Sequence, residues 1–464
     1  MKALKRILIS SAGLIVLVAI FYAEEDWRGK RAWEKCKAEL EAKGEVLAWD
    51  KYIPPPVPDD QNFFKAPNMT DWFVKARQNP ITNDLTSRIT DPRTGSVTSE
   101  TNSIVTGADA RSYLAWSDQF APDFELIRDA LKRPYARMDG DYSDPFDAPI
   151  PNFVAVRAVA QMLAQRAHCY LLLGQPEKAL DELTLLNNSR RLLEGAPTHK
   201  PVTLVAAMID VAVAGLYANA ISGGLQSHAW QEPQLRVLQE QLEKINLLPI
   251  VAESFDEESA AGCHWAESFP FVKPKELFSS RIREPFWGKM KDFADDLIPH
   301  GWLYQNMTAI ATLDGKAVDC LDLRDQTISP QKAENFLQGV KEQAAPSLPH
   351  NFLAAIVIPR LDLAAQTLAY NQTLANETQI ACAVERYRLA HNEYPETLDA
   401  LAPQFIEKLP HDIIGGQPLH YHRSPDGKFL LYSVGWNETD DDGQVALQKD
   451  GSVDREKGDW VWKN

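Results

Sequence analysis

Apolar positions along the chain change their spacing several times, and each change marks an element. Residues 7–23 carry no charge, with Ile7, Leu8, Ile9 and then Leu14-Ile-Val-Leu-Val18. That length is at the short end of what spans a bilayer. Lys2, Lys5 and Arg6 precede the run, and Glu24, Glu25 and Asp26 follow it. The positive-inside bias then puts the amino terminus in the cytoplasm and the rest of the chain outside. A signal-peptidase cut after Ala23 or Ala19 would place Phe21 or Leu17 where a small residue is needed, so an uncleaved anchor is expected. Residues 27–48 read as a polar helix continuing from it, with Gly44 near its end.

Ile53-Pro-Pro-Pro-Val-Pro58 imposes an extended path, and the chain to about 106 is rich in Pro, Asn, Asp, Thr and Ser. It reads as an extended spacer or surface strap. From Asp109 the spacing turns helical: Tyr113, Trp116, Phe120, Phe124, Ile127 and Leu131 recur every three to four residues. Residues 154–173 are long and apolar, Gly174-Gln175-Pro176 breaks them, and Ala179, Leu180, Leu183 and Leu186 stripe the helix that follows. Tyr170, Ala179 and Leu183 fall where a tetratricopeptide unit has its aromatic, small and large apolar positions. That resemblance covers one unit of about 34 residues, without a second copy. Residues 202–221 and 231–247 predict two more helices. The first could pass for a second membrane span, but Asp210 in its middle favours burial in a bundle.

Residues 263–350 mix Trp265, Phe271, Trp287, Trp302 and Tyr304 with prolines, and predict short helices and loops packed on the bundle. From Pro359 the pattern is regular again. Leu361, Ala364, Leu368, Thr373, Ile380, Ala383, Val384 and Tyr387 predict one helix over 360–391, stopped at Asn392-Glu-Tyr-Pro395. A short helix over 396–403 follows. Alternating stretches at 419–423 and 428–434 flank Ser424-Pro-Asp-Gly427 and predict a β-hairpin. Ile380, Val384, Tyr387 and Leu389 are expected to pack on that hairpin.

This order, with Ala383-Val-Glu-Arg-Tyr-Arg-Leu389, Glu393-Tyr-Pro395, Leu409-Pro-His-Asp412, Gly416-Gln-Pro418, Tyr421 and Tyr432-Ser-Val-Gly435, resembles the globular part of the major pseudopilins of type II secretion systems. It departs from them in lacking a prepilin peptidase site and in the long stretch between the apolar run and this region. The whole layout also resembles large anchored proteins of planctomycete and verrucomicrobial bacteria. The expected fold is mainly α with a small α+β carboxy-terminal domain: a membrane helix, an irregular helical bundle with one tetratricopeptide-like hairpin, then a long helix and a β-hairpin. The expected segments are an anchor (1–23), a juxtamembrane helix with a Pro-rich stretch (24–106), a helical domain (107–262), an aromatic-rich connection (263–350) and the pseudopilin-like domain (351–464).

Composition narrows the function. The chain of 464 residues has a net charge of −16, 45% apolar and 24% charged residues, which excludes a disordered or multi-span protein. The acidic balance argues against nucleic acid as a partner. Its five cysteines form no CxxC pair; Cys169 and Cys382 sit on apolar helical stretches, and a Cys263–Cys320 disulfide is left open by spacing alone. No G-x-S-x-G, H-E-x-x-H, P-loop or G-x-G-x-x-G occurs. Cys263-His264 puts a thiol beside an imidazole, the basis of an alternative reading as an anchored hydrolase with its site in 263–350. His420 and His422 share a strand face near His411 and Asp412, where zinc competes with the commoner reading as surface histidines. Asn437-Glu-Thr-Asp-Asp-Asp442-Gly443 gathers oxygen ligands in a Gly-bearing loop. The pseudopilin resemblance implies calcium there, carried by position to Asn437, Asp440, Asp442 and Asp459. The leading expectation is a non-catalytic, single-pass protein of the cytoplasmic membrane. Its bulk would lie outside the cytoplasm, and its partners would be envelope or secretion proteins.

Overall fold

The computed structural model describes residues 2–74, 85, 106–145, 148–194, 203–268, 299–343, 351, 354, 361–424 and 427–462. Helix α1 (Lys2–Ala42) is continuous through the apolar run and the polar stretch after it, and Gly44 follows with φ of +96°. A left-handed residue just past the last turn is a common helix terminator. Short turns lead to α2 (Met69–Phe73). The helical body comprises α3 (Gly107–Ser117), α4 (Ala121–Ala130), α5 (Phe153–Leu172), α6 (Pro176–Ser189), α7 (Leu204–Gln226), α8 (Glu232–Glu243) and α9 (Leu248–Ser268). It continues with α10 (His300–Val318), the two-residue strands β1 (Leu321–Asp322) and β2 (Thr327–Ile328), α11 (Pro330–Gln343) and α12 (Leu361–His391). After α12 come β3 (His420–Arg423), β4 (Phe429–Ser433), β5 (Val445–Leu447), β6 (Val453–Gly458) and β7 (Trp460–Trp462). The protein is thus mainly helical, with small antiparallel sheets concentrated near the carboxy terminus.

Helix α7 lies at the centre, packed by α12, α5, α9 and α6. It is long and apolar enough to cross a membrane, but it is mostly buried inside the protein. Its Asp210 is fully buried and accepts two hydrogen bonds from Arg190, at 2.8 and 2.9 Å. Burial pushes the carboxyl up, and the guanidinium draws it back. At Gly215 the absence of a side chain admits α12: a Cβ there would stand 1.8 Å from Asn371 Oδ1. The α5–α6 hairpin forms where the sequence predicts it, with Ala179 and Leu183 completely buried. Arg166 ties it to the end of α3, donating to Glu182 at 2.8 Å, Ser117 at 2.7 Å and Asp118 at 2.9 Å.

Three expectations are corrected. The Pro-rich stretch is not a mere strap: Phe63, Phe64, Met69, Trp72 and Phe73 are buried in the main core. Its aromatics outweigh its prolines. The boundary at 262 falls inside α9, which runs on through Cys263 and Trp265, and much of the supposedly irregular connection is α10 and α11. Pro299 and Pro330 stand at the starts of those helices, where the missing N–H costs nothing. Residues 269–298 and 344–350 of that connection lie outside the described residues, as do 75–84 and 86–105 of the Pro-rich stretch. Finally, α12 buries Ile380 and Val384, but it packs chiefly on α7 and α8 rather than on the hairpin. Tyr387 is half-buried and stacks on His391, and Leu389 is exposed.

The hairpin pairs His420 with Tyr432 and Arg423 with Phe429. The sequence reading missed β7, which adds to β4 by pairing Ser433 with Trp460 and Leu431 with Trp462. Trp462 Nε1 donates to Ser222 of α7 at 3.0 Å and so fixes the sheet to the helical body.

The Arg190–Asp210 pair generates a stability prediction. Asp210→Ala leaves a buried guanidinium uncompensated and should cost about 3–5 kcal/mol. The double replacement Arg190→Met, Asp210→Leu should recover most of that loss, as read by urea unfolding.

Candidate functional site

Two places gather polar groups in ways that bear on function: the sheet end of the carboxy-terminal region, and the joint between α1 and α10. At the sheet end, Asp412 is the central group. It is 2% exposed, and burial raises its carboxyl against the pull of its hydrogen bonds. One oxygen accepts from Ile414 N and Ser433 Oγ, both at 2.9 Å, and the other accepts from Val434 N at 3.2 Å. Its own N–H donates to Gln417 O at 2.7 Å. The side chain thereby fastens the Gly415–Gly416 turn to the end of β4. Behind it, Glu377 of α12 is buried and its carboxyl is raised by burial and then by Asp412.

The acidic loop is organised by the same means. Asp459 is completely buried, and accepts from Gly443 N at 2.7 Å and from Asp441 N at 3.1 Å. Asp440 accepts from Tyr432 Oη and Asp442 N, both at 3.0 Å, and lies 3.5 Å from His420 Nδ1. The Asp442 N–H leads in holding the Asp440 carboxyl below its ordinary range, with Tyr432, His420 and His422 adding to it. Asn437 accepts from Thr439 N at 3.3 Å and donates to Asp441 at 3.0 Å. Asp442 is exposed, with φ of +56°. Asn437, Asp440, Asp442 and Asp459 therefore share one loop, but three of them turn their oxygens to donors of the protein itself. Among the described residues no three metal-ligating side chains converge. The loop's oxygens are thus held in place by donors of the protein itself.

His420 and His422 both lie against Tyr432, at 4.8 and 6.2 Å, whereas His411 Nε2 lies 3.1 Å from Gln326 O. Cys263 is buried on α9 and its Sγ–H donates to Met307 O at 3.6 Å, while the adjacent His264 is part-exposed. Burial, with Asp314 adding, pushes the thiol well above its ordinary range. A thiol so placed is an inert core group rather than a nucleophile. All five cysteines are free thiols.

The second place was not legible in the sequence. Just beyond the apolar run, Glu25 is buried and accepts from Arg28 at 2.6 Å, Gln305 at 3.0 Å and Trp302 Nε1 at 3.1 Å. Asp26 accepts from Gly301 N at 2.7 Å. Here α1 and α10 cross through glycine: a Cβ on Gly29 would stand 2.1 Å from Gly301 O, and one on Gly301 2.0 Å from Glu25 O. Further along, Cys36 Sγ lies 3.5 Å from Thr312 Oγ1. Sequence spacing cannot announce such a pairing, because Gly29 and Gly301 are far apart in the chain and each sits in an unremarkable polar context.

Asp412→Ala would strip two buried donors, Ile414 N and Ser433 Oγ, and the part-buried Val434 N of their acceptor, at about 1–3 kcal/mol for each buried group. A loss of at least about 3 kcal/mol in chemical unfolding is expected, with Asp412→Asn milder because it keeps one acceptor oxygen.

Comparison with family models, with curated proteins and with solved structures finds no match to this chain.

Proposed function

We propose that this chain is a non-catalytic, single-pass envelope protein of the cytoplasmic membrane. Residues 7–23 are its anchor, and the helical body serves outside the cytoplasm as a structural or docking component for envelope or secretion proteins. Helix α1 carries this reading. Its first half leaves Ile9, Leu14, Ile15, Val16, Leu17 and Ile20 exposed, Ile15 by 69%, while its second half is fastened to α10. Soluble chains rarely leave so long an apolar surface uncovered. A bilayer covers such a surface, and the helix satisfies its own backbone groups there.

The geometry also weighs against the alternative hydrolase. That reading drew on Cys263 and His264, and the thiol is buried, bonded to a carbonyl and shifted away from the thiolate. The pseudopilin-like reading is supported by the order of α12, β3 and β4, which follows the order of its matched motifs.

The anchor is tested by fractionation. The full chain should stay with membranes through an alkaline carbonate wash, and a chain beginning at Glu24 should be soluble. Protease added to spheroplasts should degrade the body. A soluble full-length chain, or full protection in spheroplasts, overturns the proposal. A pull-down from native membranes then identifies the partner.

Calcium at the 437–459 loop is a separable part of the reading, because the ion would have to take Asp440 from Tyr432 and Asp459 from the backbone. On that geometry, millimolar calcium should leave the melting temperature unchanged. A rise that the double change Asp440→Ala, Asp442→Ala abolishes would establish the ion instead.

A further inference from the structure

Asp314, on α10, is 1% exposed, and neither of its carboxylate oxygens has a hydrogen-bond partner. Asp210 and Glu258 are treated differently, the first meeting a guanidinium and the second a backbone N–H. The charged groups that bear on it are Glu258 and Asp256 of α9 and Glu45 in the turn after α1, all carboxylates, and the Cys263 thiol of α9 also faces it. Glu45 lies against the next residue of α10, its carboxylate 3.3 Å from where a Cβ on Gly315 would stand. Lys43 and Asp319 act on Glu45 in turn. Glu258 is occupied, accepting from Leu204 N at the start of α7 at 3.1 Å.

A dry carboxylate with no donor and three like-charged neighbours is strongly disfavoured. A neutral carboxylic acid in the same place suffers only the smaller loss of an unbonded polar group. Helix α10 is also the element that grips α1, through Gly301, Gln305 and Thr312. Of the surfaces around Asp314, the α9 side is closed by Cys263 bonded to Met307 O. The Glu45 side is a part-exposed turn at a helix end. That turn is where water can enter when charge appears.

We propose that Asp314 is a proton-operated latch in the α1–α10 joint: as a neutral acid it lets the turn at 43–48 close on α10, and on ionisation it opens that turn to water. The latch does not depend on whether residues 7–23 lie in a membrane. Its direction follows from linkage. An acid whose ionisation is disfavoured by folding leaves stability whole below the unfolded carboxyl range, near 4. Stability is then lost as pH rises through the folded value and stays lost above it.

The test uses the full chain in detergent micelles. Amide hydrogen exchange at 43–48, corrected for intrinsic rates, should speed up with pH by about tenfold per unit once Asp314 begins to ionise. In Asp314→Asn, a neutral isostere, exchange there should be slow and independent of pH. The variant should match the wild type in melting temperature near pH 4 and exceed it increasingly as pH rises. A difference infrared spectrum should show a protonated carboxyl band at neutral pH that the variant lacks, a readout that also holds if the variant is poorly folded at high pH. Asp314→Asn melting below wild type at every pH would overturn the latch, since the carboxylate would then be an ion with a partner. Equal pH dependence of exchange in the two proteins, or no difference band, would overturn it as well.

Discussion

Helix α7 is apolar around its whole circumference, and that constraint organises the rest of the protein. An amphipathic helix can rest one face on a neighbour, but α7 needs cover over most of its circumference, and a narrow stripe through Val205, Ala212 and Asn219 is what stays exposed. It is met by α5, α6, α9 and α12, drawn from distant parts of the sequence. Its small residues make the cover tight: Ala207, Ala214 and Ala218 are completely buried, and Gly215 admits Asn371 of α12. Asp210 is the one charge along its length, and Arg190 answers it from the turn after α6. An unpaired carboxylate there would be intolerable, so the pair also fixes how the α5–α6 hairpin sits against α7.

The carboxy-terminal region takes its place from the same requirement. Helix α12 is buried along most of its length because it covers α7 on one side and receives β4 and β7 on the other. The small sheet thus rests on a helix that the bundle needs anyway, and Trp462 reaches through to Ser222 of α7. One continuous apolar cluster runs from Trp33 to Trp462. The order of α12, β3 and β4 is therefore built into the body.

Much of this was legible where periodicity was strong. The helix over 360–391, the hairpin that follows, the α5–α6 pair and the burial of α7 about Asp210 all follow from local spacing and a single misplaced charge. What escaped was set by contacts distant in sequence. Pro299 and Pro330 looked like breaks, but each opens a helix. The prolines of 53–58 hid the burial of Phe63 and Phe73, since composition speaks about the backbone path and not about which side chains find the core. Strand β7 is three residues long and gives no alternation to read. Asp412 stood in the sequence only as part of a motif, and its role as an acceptor for Ile414, Ser433 and Val434 requires a fold. For the oxygen-rich loop at 437–442 a sequence shows how many carboxylates there are and not which way they turn.

The buried acids show why direction matters more than number. Asp210 is neutralised by a guanidinium, and Asp412 and Asp459 by backbone N–H groups that hold their loops in shape. In these cases the acid specifies a structure, and removing it leaves donors stranded. Asp314 meets none of these conditions. Its neighbours penalise the charge, so the neutral acid is the form compatible with close packing of α1, α9 and α10. Where donors surround a buried acid, their hydrogen bonds offset part of the cost of burying its charge; where carboxylates bear on it and no donor reaches it, nothing offsets that cost. Asp314 occupies that position in the joint where α10 grips α1.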